Sequence, residues 1–114
     1  MVYIGCDQHK QFCQLAVLNE SGTLLEEKKF YHSDPDALRE YFTSLPPDSK
    51  MAIEASGFES WLADFAQELG IRVTLSHPLK TRAIAEAKIK TDKVDARTLA
   101  KLLQTDFLPS AYLA

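Results

Sequence analysis

The chain opens on two mainly apolar runs, Val2-Tyr-Ile-Gly-Cys-Asp7 and Phe12-Cys-Gln-Leu-Ala-Val-Leu18, separated by the polar residues Gln8 to Gln11. Short apolar runs bounded by polar turn residues predict strands, and a gap this brief predicts a hairpin connection. Asn19-Glu-Ser-Gly22 carries a second turn signal, and Thr23 to Tyr31 supplies a third strand. Three strands joined by short turns imply an antiparallel meander.

The period then changes. Asp34 followed by Pro35 predicts a helix start, with a capping carboxylate ahead of a proline at the first helical position. Leu38, Tyr41, Phe42 and Leu45 fall on one helical face, and Pro46-Pro47 ends it. Lys50 to Glu54 predicts a fourth strand. Ser56 and Glu59 have the form of a capping box ahead of the stripe Phe58, Trp61, Leu62, Phe65, Ala66 and Leu69, with Gly70 as its stop. Phe58 and Trp61, at helical spacing, read as core. Ile71 to Leu75 predicts a fifth strand, and Pro78 opens a helix to about Ala87. Lys88 to Lys90 read as a break, after which a last helix starts at Thr91 or Asp92 and runs to about Gln104. Strands alternating with helices imply parallel crossovers onto one sheet. The expected fold is therefore α/β: a mixed five-stranded sheet, three antiparallel strands then parallel ones, flanked by helices. That order is the RNase H-like (RuvC-like) one.

Length and composition place few further limits. A chain of 114 residues makes one small domain with a modest core. Cys6 and Cys13 match neither a disulfide framework nor a zinc-ligand spacing, and read as free core thiols in a reducing compartment. The N-terminus reaches Asp7 too early for an export segment, and no apolar run approaches membrane-spanning length. The expectation is a cytoplasmic protein with no membrane partner. Net charge is -3, which does not advertise nucleic-acid binding, but the charge is unevenly spread. Residues 1–71 hold twelve acids and five Lys/Arg, whereas residues 72–101 hold three acids and eight Lys/Arg. A basic segment on an acidic domain predicts either a phosphate-facing edge or a solvated helix face.

Four acids carry the candidate chemistry. Asp7 ends the first predicted strand and Glu54 the fourth, so parallel neighbours would bring both to one sheet edge. Asp92 and Asp95 are three apart on the predicted last helix, on the face shared by Leu99, Leu102 and Leu103. Acids at the end of an apolar stripe are costly unless compensated. Two unit charges about 4 Å apart repel by roughly 4 kcal/mol at an effective dielectric near 20, so a cluster of four calls for protons or a cation. Mg²⁺ or Mn²⁺ suits an oxygen-only donor set, as one or two ions, and two such ions support phosphoryl transfer. Each acid taken alone also has an ordinary reading. Asp7 can close a turn, Glu54 can sit on the surface, and Asp92 can cap a helix with Asp95 three residues on.

Three motifs, Ile4-Gly-Cys-Asp-Gln-His-Lys10, Ala52-Ile-Glu-Ala-Ser-Gly57 and Lys90-Thr-Asp-Lys-Val-Asp-Ala-Arg97, together with His77-Pro78-Leu79, closely resemble the N-terminal domain of the DEDD transposases of the "IS one-ten" insertion-sequence family. The resemblance spans essentially the whole chain. It maps the family's four acids onto Asp7, Glu54, Asp92 and Asp95, and implies a RuvC-like domain that binds Mg²⁺ and helps to cut and rejoin DNA strands. It further implies guidance by a structured bridge RNA and assembly as dimers and tetramers in a prokaryotic cytoplasm. Family members carry a second, C-terminal domain with a serine nucleophile. Residues 1–114 correspond to the RuvC-like domain alone, so the expectation is a fragment that does not recombine DNA by itself.

Lys10, Lys80, Arg82, Lys88, Lys90, Lys93 and Arg97 are the candidate nucleic-acid contacts, because cations beside the acids would steer phosphates towards metal. Solubilising surface charge is the competing reading. His9 and Lys10, directly after Asp7, either touch phosphate or solvate a turn, and His32 and His77 carry no chemistry. No stretch interleaves aromatic and basic residues as a single-strand binder does. Two other functions remain open: a Holliday-junction resolvase-like nuclease, and a non-catalytic RNA- or DNA-binding assembly module in which the acids are structural.

Overall fold

The computed structural model describes residues 1–55, 60–91 and 93–109. The predicted capping box at Ser56 and Glu59, the position of Phe58, and Asp92 lie outside the described residues. Five strands appear where the pattern put them: β1 (Tyr3–Gln8), β2 (Phe12–Leu18), β3 (Leu24–Tyr31), β4 (Lys50–Glu54) and β5 (Arg72–Ser76). The helices are α1 (Pro35–Ser44), α2 (Ser60–Glu68), α3 (Pro78–Ile84), continued by a π-helical turn (Ala85–Ile89), and α4 (Ala96–Gln104).

One mixed sheet is formed in the order β3-β2-β1-β4-β5. β1, β2 and β3 are the antiparallel meander, and β4 and β5 run parallel to β1. Side chains alternate between faces along each strand, and the two faces have different jobs. Ile4, Cys6, Cys13, Leu15, Val17, Met51, Ile53 and Leu75 join α1 and α2 residues such as Leu38, Phe42, Leu62 and Ala66 in the main core. Both cysteines are free and fully buried within it.

The opposite face is nearly flat, carrying Gly5, Ala16 and Ala52, and α4 lies directly on it. A Cβ built on Gly5 would sit 1.8 Å from the Ala96 carbonyl oxygen and 2.5 Å from the Ala100 nitrogen. Glycine is required there because helix backbone occupies the volume a side chain would need. Ala96, Leu99, Ala100 and Leu102 supply the buried stripe of α4. β3 is one of the two edge strands, and its Glu26-Glu-Lys-Lys29 run leaves that edge charged, which discourages pairing with another chain.

Two boundaries differ from the pattern. The helix opened by Pro78 does not stop at Ala87. It continues through the π-helical turn and ends at Lys90, which adopts a left-handed conformation at φ 64°. The last helix starts at Ala96, not at Thr91 or Asp92. Asp95 is its N-cap, with extended backbone and a carboxylate that accepts a hydrogen bond from the Thr98 N–H at 3.0 Å. Aspartate favours that position because a helix leaves its first N–H groups unpaired. Residues 93–95 are therefore not helical, and Asp95 caps the helix from outside it instead of lying on the helical face of Leu99, Leu102 and Leu103.

Candidate functional site

The α4 face of the sheet sets the positions of the acids. Parallel pairing of Gly5 with Ala52 and Cys6 with Ile53 places Asp7 and Glu54 side by side at the next step of the register, both on the face that α4 covers. Their charges interact. Burial raises the Glu54 carboxyl above the ordinary range, the negative charge of Asp7 raises it further, and Arg82 pulls it back. Arg82 is carried on α3, which begins just after β5, the neighbour of β4.

Asp95 approaches Asp7 from the other side. Because α4 rests on Gly5, its N-cap comes to lie beside the end of β1, and Asp7 and Asp95 line one cavity of about 320 Å³ with Gln14, Glu27, Lys93 and Arg97. Burial raises the Asp95 carboxyl, but Thr98 and Lys93 outweigh it and hold the group below the ordinary aspartate range. The Lys93 ammonium is 3.6 Å from the Asp95 carboxylate. The Thr98 hydroxyl donates to the Lys93 carbonyl at 2.9 Å, fixing the segment that leads into the helix.

Asp7 thus stands between Glu54 on the β4 side and Asp95 on the β2 side. About a third of the Asp7 side chain (33%) and of the Asp95 side chain (31%) remains open to solvent. Among the described residues, no three His, Cys, Asp or Glu side chains close on a single point as a metal cage. The described acids form a row with Asp7 at its centre.

The predicted basic residues separate into three groups. Arg82 and Lys93 flank the row of acids at its two ends. Lys10, Lys80, Lys88 and Lys90 are exposed, with the Lys88 ammonium 5.3 Å from the centre of the Phe107 ring. Arg97 is engaged by Glu27 of β3 through two guanidinium hydrogen bonds, which tie the start of α4 to the sheet edge. That pairing holds the Glu27 carboxyl below its ordinary value.

Several contributors were not visible as such in the sequence. His9 reaches back to Asp7, with Nε2 3.2 Å from Oδ2, because residues two apart on an extended segment face the same way. Glu27 and Gln14 enter the cavity through strand pairing alone. His77 caps α3 through Nδ1, which accepts from the Lys80 N–H at 3.3 Å. Trp61 is not a core residue: it is 39% exposed and meets His32 edge to face at 4.9 Å.

Such a sheet, with half-buried acids at the ends of adjacent parallel strands and a helix N-cap brought against them, defines an α/β domain of RNase H-like architecture. Residues 4–112 match the family described as transposase, the DEDD transposases of the IS110 type. The chain belongs to that family. It is 31% identical over 108 residues to the transposase for insertion sequence element IS1533 of Leptospira borgpetersenii, an alignment covering 91% of this chain. The chain spans 31% of the length of that relative. No helix among the described residues is long and apolar enough to cross a membrane.

Proposed function

We propose that this chain is the RuvC-like domain of a DNA transposase, in which Asp7, Glu54, Asp92 and Asp95 hold one or two Mg²⁺ or Mn²⁺ ions for cleavage and joining of DNA strands. The observation that carries the reading is the row Glu54–Asp7–Asp95 at the C-terminal ends of β1 and β4 in a chain of a transposase family. The donor set fits a hard cation, since it consists of carboxylate oxygens. Burial, and after it the charge of Asp7, raise the Glu54 carboxyl, and a divalent ion would offset both. A bound ion of this kind stabilises charge on phosphoryl oxygens and makes water a better nucleophile.

The chain's own residues have separate tasks around that centre. His9 holds one oxygen of Asp7 and so limits its rotation. The Asp95 cap fixes one carboxylate oxygen on Thr98 and leaves the other facing Lys93. Arg82 and Lys93 place positive charge at both ends of the row, where the phosphates of a strand crossing the site would pass. Lys10, Lys80, Lys88 and Lys90 extend that charge outward. In the full protein, a C-terminal serine-bearing domain, a guide RNA and self-association as a dimer or tetramer would complete the activity.

A calorimetric titration of Mn²⁺ into the chain and into Asp7→Asn tests the site. Binding by the parent and its loss in the variant is the expected result. Equal heats from both, or none from either, would defeat the assignment. One observation favours a second reading. Asp7 and Asp95 already have His9, Thr98 and Lys93 as partners, and no described trio forms a cage. That is what a non-catalytic assembly module would show, and absence of metal binding selects it. Cutting of four-way junctions by the chain alone would instead select a resolvase-like nuclease.

A further inference from the structure

Helix α4 covers only part of the sheet face it lies on. Its backbone crosses Gly5, and the face continues past its N-terminus towards the ends of β1, β2 and β3. Register pairs set Asp7 beside Gln14, Gln14 beside Lys29, and Phe12 beside Tyr31 on that continuation. His9 stacks on Phe12 at 4.5 Å with planes 22° apart. The Phe12 and Tyr31 rings are 6.1 Å apart. The Lys29 ammonium lies 4.1 Å from the Phe12 centroid and 5.1 Å from that of Tyr31. His9 also contacts Asp7 at 3.2 Å. A row of rings therefore runs from the carboxylates to the edge of the sheet and ends on Tyr31, which is 54% exposed. The strands bring together what lies scattered over residues 9–31, so the row is invisible as a linear motif.

We infer that this row is a stacking platform for an unpaired DNA base next to the strand held at Asp7, with Tyr31 as the receiving ring and Lys29 and Lys10 as partners of the adjoining phosphates. The placement beside Asp7 rests on the proposed DNA reading; the platform itself is tested without metal. Three features specify the occupant. Ring faces accept any base, because every base has a π-face. A base in a duplex has both faces covered by its neighbours, so only an unstacked one can use the ring. Lys29 and Lys10 supply the charge that a phosphate chain needs and that an apolar peptide does not. Phe12 and its clasp of His9 and Lys29 buttress the platform, which leaves Tyr31 as the ring whose removal matters most.

The test uses the 114-residue chain in EDTA, with a single-stranded DNA oligonucleotide carrying 2-aminopurine. Anisotropy reports binding and 2-aminopurine quenching reports stacking. Tyr31→Ala is expected to weaken binding roughly tenfold, within the range for removal of one base–aromatic stack, and to abolish the quenching. Tyr31→Phe keeps both. Lys29→Gln flattens the dependence of log K on log salt by about 0.7, the value for one phosphate bound on a single strand. EDTA withholds divalent metal throughout, so failure of the metal site and failure of the platform are read separately. Binding by a normally folded Tyr31→Ala within about twofold of the parent, well short of one stack, overturns the inference. So does tighter binding of the corresponding duplex, or of RNA of the same sequence.

Discussion

The α-carbon of Gly5 faces the carbonyl of Ala96 so closely that a methyl group added to Gly5 would lie 1.8 Å from that oxygen. This one approach seats α4 on the sheet and, through the helix N-cap, carries Asp95 to the cavity that Asp7 lines. The clash is with backbone, so no side-chain rotation relieves it and the helix itself must move. Gly5→Ala is expected to cost at least about 1–3 kcal/mol, the range for overpacked interiors. It should also weaken Mn²⁺ binding even though no carboxylate changes. Urea unfolding and calorimetry on the same preparation check both. A variant with parent stability and parent metal affinity would show that α4 is not held in this way.

The ion pair between Glu27 and Arg97 links the edge strand to the first turn of α4. Hydrogen bonding to Arg97 lowers the folded-state pKa of Glu27 from the ordinary glutamate value of 4.5. For an acid shifted down on folding, the stabilisation is complete above the unfolded value and disappears as pH falls through the folded one. Arg97→Gln is therefore expected to lower the urea midpoint at neutral pH. The gap to the parent should close as pH drops below about 4.5, and also at high salt, because the pair is exposed. A gap that is the same at neutral and at acid pH would mean that Arg97 acts through packing alone.

Much of the fold was legible because periodicity and turn chemistry agreed. Phe12 to Leu18 and Lys50 to Glu54 are strands with the predicted limits, and Asp34-Pro35 starts α1 with Asp34 accepting from the Ala37 N–H. Pairing of Asp7 with Glu54 followed from parallel order alone. The region after Pro78 was harder to read. Its helix ends on Lys90 in a left-handed conformation usually given to glycine or asparagine, so no residue type marks the stop. Asp95 met two rules at once, a helical spacing from Asp92 and a capping preference, and capping prevailed. The approach of His9 to Asp7 and the ring row on β2 and β3 depend on which strand face each residue occupies and on cross-strand register, which composition does not encode.

Positive charge next to the acids should act on nucleic acid as a group. Lys88, Lys90 and Lys93 follow one another from the π-helical turn to the residue beside Asp95, and all three are exposed. Replacing all three with glutamine is expected to weaken duplex DNA binding. The slope of log K against log salt should become shallower by up to about 0.9 for each phosphate that is no longer neutralised. Folding should be little affected, since Lys88 gives up only its cation–π interaction with Phe107 and Lys93 only a solvent-exposed pairing. Filter binding across a salt series measures the slope, and an unaltered slope would assign these lysines to solvation.

Asp95 combines two roles that a pair of substitutions separates. As the N-cap it satisfies the Thr98 N–H at 3.0 Å, and as a partly exposed carboxylate in the cavity with Asp7 it presents negative charge. Asparagine caps helices about as well as aspartate, whereas alanine does not, a difference typically of about 0.5–2 kcal/mol. Asp95→Asn is therefore expected to unfold near the parent urea midpoint, and Asp95→Ala clearly below it. If the carboxylate also serves a cation, both variants should lose Mn²⁺ affinity to a similar extent despite their different stabilities. Parent-like metal affinity in a stable Asp95→Asn would leave Asp95 with the cap alone. The cation would then have to be held from the Glu54 side of Asp7.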